Sequence, residues 1–223
     1  MSDRGGIPAV LALPSGMLAG MEQGDIEGEA RRLLSVAGES SGEPADVCAV
    51  VVALLGAGAI SVAPRHAFRL DGALVRVGDA WRIYVRRGLD PVRARFVVAH
   101  ELAHWALRDS GLAAEEVEPS CDALAAAILA PCAYVRRAAT GIDCLASIAD
   151  EAAISDTCAA LRIGEALGVP LAVVGPMSVR ARGPSSWAWP HESELRRLAR
   201  RGGPGVRRVE LREHRRVALA VGE

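Results

Sequence analysis

Val98-Ala-His-Glu-Leu-Ala-His-Trp-Ala-Leu107 is the stretch on which the reading of this chain turns. It contains His100-Glu101-Leu102-Ala103-His104, an H-E-x-x-H pattern. Residues four apart on a helix stack on one face, so His100 and His104 can grip one divalent metal between their imidazoles. Glu101 is offset around the helix, where a carboxylate reaches a metal-activated water without being a ligand itself. From there it can take the water's proton and pass it to a leaving amine. The implied chemistry is metal-assisted hydrolysis of an amide.

The flanking residues place this pattern on a helix. Asp90-Pro91 reads as an opening, with Asp as N-cap and Pro at the first helical position. Phe96, Val97, Leu102 and Leu107 then supply an apolar surface for burial. A surface helix carrying two histidines by chance is the bland alternative. It fits poorly, because polar groups inside an apolar run are costly unless they have work to do.

A tetrahedral metal site with an open position needs a third protein ligand. The acidic segment Glu115-Glu-Val-Glu118-Pro-Ser-Cys-Asp122 offers one. Glu118 and Asp122 are four apart and share a helical face. One can bind the metal while the other accepts the N–H of a ligand histidine and fixes its tautomer. Glu115 and Glu116 have no acidic partner at that spacing, so Glu118 is the expected ligand and Asp122 the orienting carboxylate. Cys121, three residues from Glu118, is an alternative ligand. A His/His/Glu set with an open position suits Zn2+, and Mn2+ or Fe2+ are compatible with the same atoms.

These residues carry a family resemblance. H-E-L-x-H-x-x-L followed by E-x-x-x-[DN]-x-[FL]-A-x-x-[IL]-L-x-P resembles the ImmA/IrrE metallopeptidases, through His100, Glu101, His104, Glu118, Asp122, Ala125, Leu129 and Pro131. The resemblance spans residues 26 to 175 and is strong from 96 to 131. It implies a zincin-like α+β fold with a gluzincin-type ligand set and the H-E-x-x-H helix packed against a small antiparallel sheet. It further implies cleavage of a specific regulatory protein, a helix-turn-helix repressor of a mobile element or stress response. Ala103, Arg108 and Ala130 depart from residues common in the family, and Pro119 biases Glu118 away from helical geometry. A competing function is sequestration, in which the fold binds its repressor without cutting it.

Composition bounds the rest. At 223 residues and 51% hydrophobic, the chain can bury a core, built mostly of Ala, Val and Leu because only 4% of residues are aromatic. A net charge of −1 argues against a whole-protein nucleic-acid binder. All basic residues are Arg. Cys48, Cys121, Cys132, Cys144 and Cys158 form no C-x-x-C pair and read as free thiols of a reducing cytoplasm. No long uncharged apolar run indicates a membrane span.

In order, the expected organisation is a leader over 1–22, a peptidase core over 23–140, a helical helix-turn-helix-like appendage over 141–176 and an Arg-rich extension over 177–223. Helices are expected near Ile26–Ala37 and Pro44–Leu55, and a strand at Ala59–Val62. Leu74–Val77 and Trp81–Val85 flank Gly78-Asp79 as a hairpin. The second ligand helix is expected over 120–130. Two short helices meet at Ile154-Ser155, but the second carries only Arg162 against Asp156 and Glu165, which disfavours DNA contact. Val169–Val174 reads as a strand, and Val206–Leu211 with Arg216–Val221 as a closing hairpin. Trp187 and Trp189 stand out as a docking surface or satellite core. Tyr134 and His191 are the candidates for stabilising an oxyanion.

Overall fold

The computed structural model describes residues 23–66, 69–182, 190–203, 205–213 and 216–221. The expected leader and the Trp187 and Trp189 pair lie outside them. Helix α1 (Gln23–Val36) buries Ile26, Ala30, Leu33 and Leu34 at the expected helical spacing. Helix α2 (Val47–Leu55) begins after Asp46 rather than at Pro44, because the Asp46 carboxylate accepts from the Cys48 and Ala49 N–H groups.

Strands β1 (Ile60–Ala63), β2 (Gly72–Val77) and β3 (Ala80–Arg86) form the first sheet, in the order β1-β3-β2. The β2–β3 hairpin turns at Gly78, whose φ of 62° suits glycine. Strand β1 pairs with β3 in parallel, so the sheet is mixed rather than antiparallel. The chain leaves β1, crosses the end of β3 and returns as β2 on the far edge. Alternating side chains report which face is buried, not strand direction, so this crossover leaves no trace in the sequence pattern.

Helix α3 (Pro91–Leu107) packs on β2 and β3, with Asp90 accepting from the Arg93 N–H at 2.9 Å. Helix α4 (Ala114–Leu129) packs on α3 and starts earlier than the expected 120, running through Pro119. Glu116 closes its first turn by accepting from the Ala113 N–H at 3.2 Å. Proline forfeits one helical hydrogen bond, but the buried Cys121, Leu124, Ala125, Ile128 and Leu129 hold the helix in place.

Helices α5 (Cys132–Ala138), α6 (Leu145–Glu151) and α7 (Asp156–Leu167) follow. Ser155 caps α7, its Oγ accepting from the Cys158 N–H at 3.1 Å. Arg162 on α7 is only 1% exposed. Its Nε donates to the Ala130 carbonyl at 2.8 Å, and its guanidinium lies 2.5 Å from both Glu27 and Glu165. It therefore ties α1, the end of α4 and α7 together. A cation so enclosed has no access to a DNA groove.

The second sheet contains β4 (Leu171–Val174), β5 (Val179–Arg182), β6 (Val206–Glu210) and β7 (Val217–Val221), ordered β5-β4-β7-β6 and antiparallel throughout. It crosses the boundary drawn at 176. Between β5 and β6 lies α8 (Glu192–Arg201), whose Leu195, Leu198 and Ala199 bury against Ala172, Val174 and Leu219. The turn between β6 and β7 closes over α7: Glu213 accepts from the Thr157 N–H at 3.1 Å, and the Arg212 N–H donates to Asp156 at 2.7 Å. The architecture is α+β, and among the described residues no helix is long and apolar enough to cross a membrane.

Candidate metal centre

Helix α3 presents His100, Glu101 and His104; α4 presents Glu118 and Asp122 across from them. The two Nε2 atoms of His100 and His104 are 3.1 Å apart. Glu118 Oε2 lies 3.2 Å from His100 Nε2, and Oε1 lies 3.3 Å from His104 Nε2. A tetrahedral ion with bonds of about 2.0–2.1 Å needs ligand atoms about 3.3 Å apart. The separations and the N, N, O donor set thus fit a divalent ion, and His100, His104 and Glu118 form a candidate cluster. Pro119 has not displaced Glu118 from it.

Asp122 Oδ1 stands 3.1 Å from His100 Nδ1, on the ring edge away from Glu118, although the ring N–H is not aligned on it. Burial works against a proton on His100, but Asp122, Glu118 and Glu101 outweigh it and hold its pKa above the ordinary value. Asp122 is pushed up by burial and pulled further down by His100, then Arg180 and Arg93. Each partner favours the charged form of the other.

Glu101 is turned toward the sheet and is only 9% exposed. Burial raises its pKa against the pull of His104 and His100, and the Leu74 backbone N–H faces it. A carboxylate so raised is a stronger proton acceptor. Room for it comes from Gly72 on β2, where a Cβ would stand 2.3 Å from Val97 Cγ1 and 3.0 Å from Glu101 Oε1. Gly72→Ala should therefore push β2 off α3 and cost about 1–3 kcal/mol. Urea denaturation checks this; an unchanged midpoint would mean that the strand accommodates the methyl freely.

The other candidates lie elsewhere. Tyr134 is buried and donates to Glu151 at 2.9 Å, and burial with that carboxylate pushes its pKa up to about 12. His191 is exposed at the N-terminus of α8, bonded to Ser193. Neither lines the cavities at the metal centre. Cys121 is fully buried, its thiol pushed up to about 12 by burial, and it is not in the ligand cluster. A different residue does share a cavity with Glu101 and His104. Arg108, one turn beyond His104, lines that space of about 520 Å³ and stacks over Trp105 at 4.8 Å. Its position four residues past the second histidine was the sequence signal for this placement.

Comparisons with known proteins follow the same lines. A Mycobacterium tuberculosis transcriptional regulator of known structure is similar in fold, with a TM-score of 0.55 and 14% identity over 87% of this chain and 86% of that one. No curated protein matches in sequence. The Peptidase_M78 family, described as the IrrE N-terminal-like domain, matches residues 50–174. That match takes in more than half of the chain and both helices of the metal centre, and by it the protein belongs to the Peptidase_M78 family.

Proposed function

We propose that the protein is a zinc-dependent endopeptidase that cuts a regulatory protein, a helix-turn-helix repressor being the best candidate. The observation that carries this is the convergence of His100, His104 and Glu118 beside a buried carboxylate that is not in the cluster. When bound, a zinc ion supplies Lewis acidity, polarising a carbonyl and acidifying water. Glu101 accepts the water's proton and returns it to the leaving nitrogen. Asp122 faces the Nδ1 edge of His100 at 3.1 Å, where it favours a proton on that nitrogen and leaves Nε2 for the ion.

The helix of the centre lying against a three-stranded sheet supports a zincin-like core over residues 23–140. Helices α6 and α7, separated by a turn at Ala153, support a helix-turn-helix-like unit. It is a packing element here, since most of α7 is buried. Strand β4 joins 141–176 to the extension 177–223 in one sheet. Transcriptional control in a reducing cytoplasm is the setting that fits the family, the fold neighbour and the free cysteines.

Elemental mass spectrometry of the purified protein tests the metal. About one zinc per chain is expected, lost in both His100→Ala and Glu118→Gln. No zinc in the unaltered chain after reconstitution would defeat the peptidase reading and favour sequestration of the partner.

A further inference from the structure

Beside the metal centre runs a groove of about 1130 Å³. Glu118 and Asp122 of α4 line one side. The other side includes Ser178, Val179, Arg180, Ala181 and Arg182, five consecutive residues. Side chains of a strand alternate between its faces, so an unbroken run can line a groove only if the strand's edge is turned to it. Strand β5 is an edge strand, and among the described residues it pairs with β4 alone. Its second edge is the kind of surface on which an extended segment adds as a further strand. These residues lie beyond the 50–174 that the family match covers.

The groove is lined by seven carboxylates and six arginines, so only an arginine without a close partner can favour an acidic occupant. Arg162, Arg182, Arg212 and Arg216 in the groove each hold a carboxylate at 3.0 Å or less. Arg93 likewise holds Asp71 at 2.9 Å. Arg180 is different: its contact is Asp122 Oδ2 at 3.7 Å, and its side chain is 58% exposed. The other oxygen of Asp122 faces His100 at 3.1 Å. Arg180 is thus a loosely held cation at the mouth of the metal centre, with hydrogen-bond donors to spare for a second carboxylate.

We propose that β5 docks an extended segment carrying an Asp or Glu side chain, which Arg180 pairs with beside the metal centre. The proposal deepens the peptidase reading by naming the substrate class. Binding by itself does not require that the bond be cut.

The test uses the full chain, loaded with zinc and carrying Glu101→Gln so that captured peptides stay whole. Random decapeptides displayed on phage are selected on it. Enrichment of Asp or Glu at one position is expected. Adding Arg180→Glu should switch that position to Arg or Lys, Arg180→Gln should erase the preference, and a synthetic acidic winner should bind the Arg180→Glu protein about tenfold more weakly. No acidic enrichment, a preference for basic peptides, or a preference indifferent to Arg180 would overturn the proposal. The winners are then incubated with the unaltered zinc protein. Cleavage supports the peptidase reading, whereas binding without cleavage defeats that reading and leaves the docking strand standing.

Discussion

Glu101→Gln is expected to abolish peptide-bond hydrolysis while the protein keeps its metal. The amide has the size of the carboxylate and fits the same space against Gly72, but it cannot accept a proton at working pH. General acid–base catalysis by one positioned side chain contributes typically ~10²–10⁴ in rate, so the variant's kcat should fall by at least that range. Glu101 is absent from the ligand cluster, so zinc content should match that of the unaltered chain. Metal analysis and substrate cleavage on the same preparation separate the two effects. A variant that still cuts at full rate would show that another group moves the proton. A variant that silences its partner without cutting it would favour sequestration.

Arg162→Met is expected to destabilise the fold by about 3–5 kcal/mol, the range for removing one member of a buried ion pair. That is a large part of the ~5–15 kcal/mol that holds a typical domain together. Burial works against the charge on Arg162, but Glu165 and Glu27 outweigh it and raise its pKa. Methionine fills much of the space yet removes the buried cation from Glu27 and Glu165, whose side chains are 18% and 8% exposed, leaving Glu27 with the Cys132 N–H and Glu165 with Arg182. The Ala130 carbonyl loses its donor as well. Urea denaturation reads the loss. Adding Glu27→Gln and Glu165→Gln to Arg162→Met should recover part of it, because the cost arises from unpaired charge rather than from lost volume. An effect below about 1 kcal/mol for the single change would mean that Arg182, already 2.8 Å from Glu165, is carrying the pairing.

Much of the candidate metal centre was legible because its chemistry is local. Spacings of four residues put His100 over His104 and Glu118 over Asp122, and Asp90-Pro91 marked the helix start. The structure brings these residues together, with Glu118 in the cluster despite Pro119. What escaped the sequence depends on partners far along the chain. Arg162 read only as the one basic residue of a helix-turn-helix-like segment; its burial depends on Glu27 in α1. Strand β5, Val-Arg-Ala-Arg, alternates apolar and polar residues, but over four positions with a single bulky apolar side chain, too little to announce an edge strand. Helix α8 shows only Leu195, Leu198 and Ala199 on its buried face, too short a pattern to stand out from an Arg-rich run. The direction of β1 is likewise set by a crossover that alternation does not encode.

The ion pair between Glu27 and Arg162 joins residues 135 positions apart, while Glu213 reaches Thr157 across 56. Closing such loops costs chain entropy before any contact rewards it, so we expect the longer closure to form late in folding. A contact absent from the transition state governs escape from the native state, not arrival in it. Stopped-flow measurements on Arg162→Met should then show unfolding greatly accelerated and refolding nearly unchanged. With that result Arg162 would be a kinetic clasp, setting how long the folded protein lasts once made.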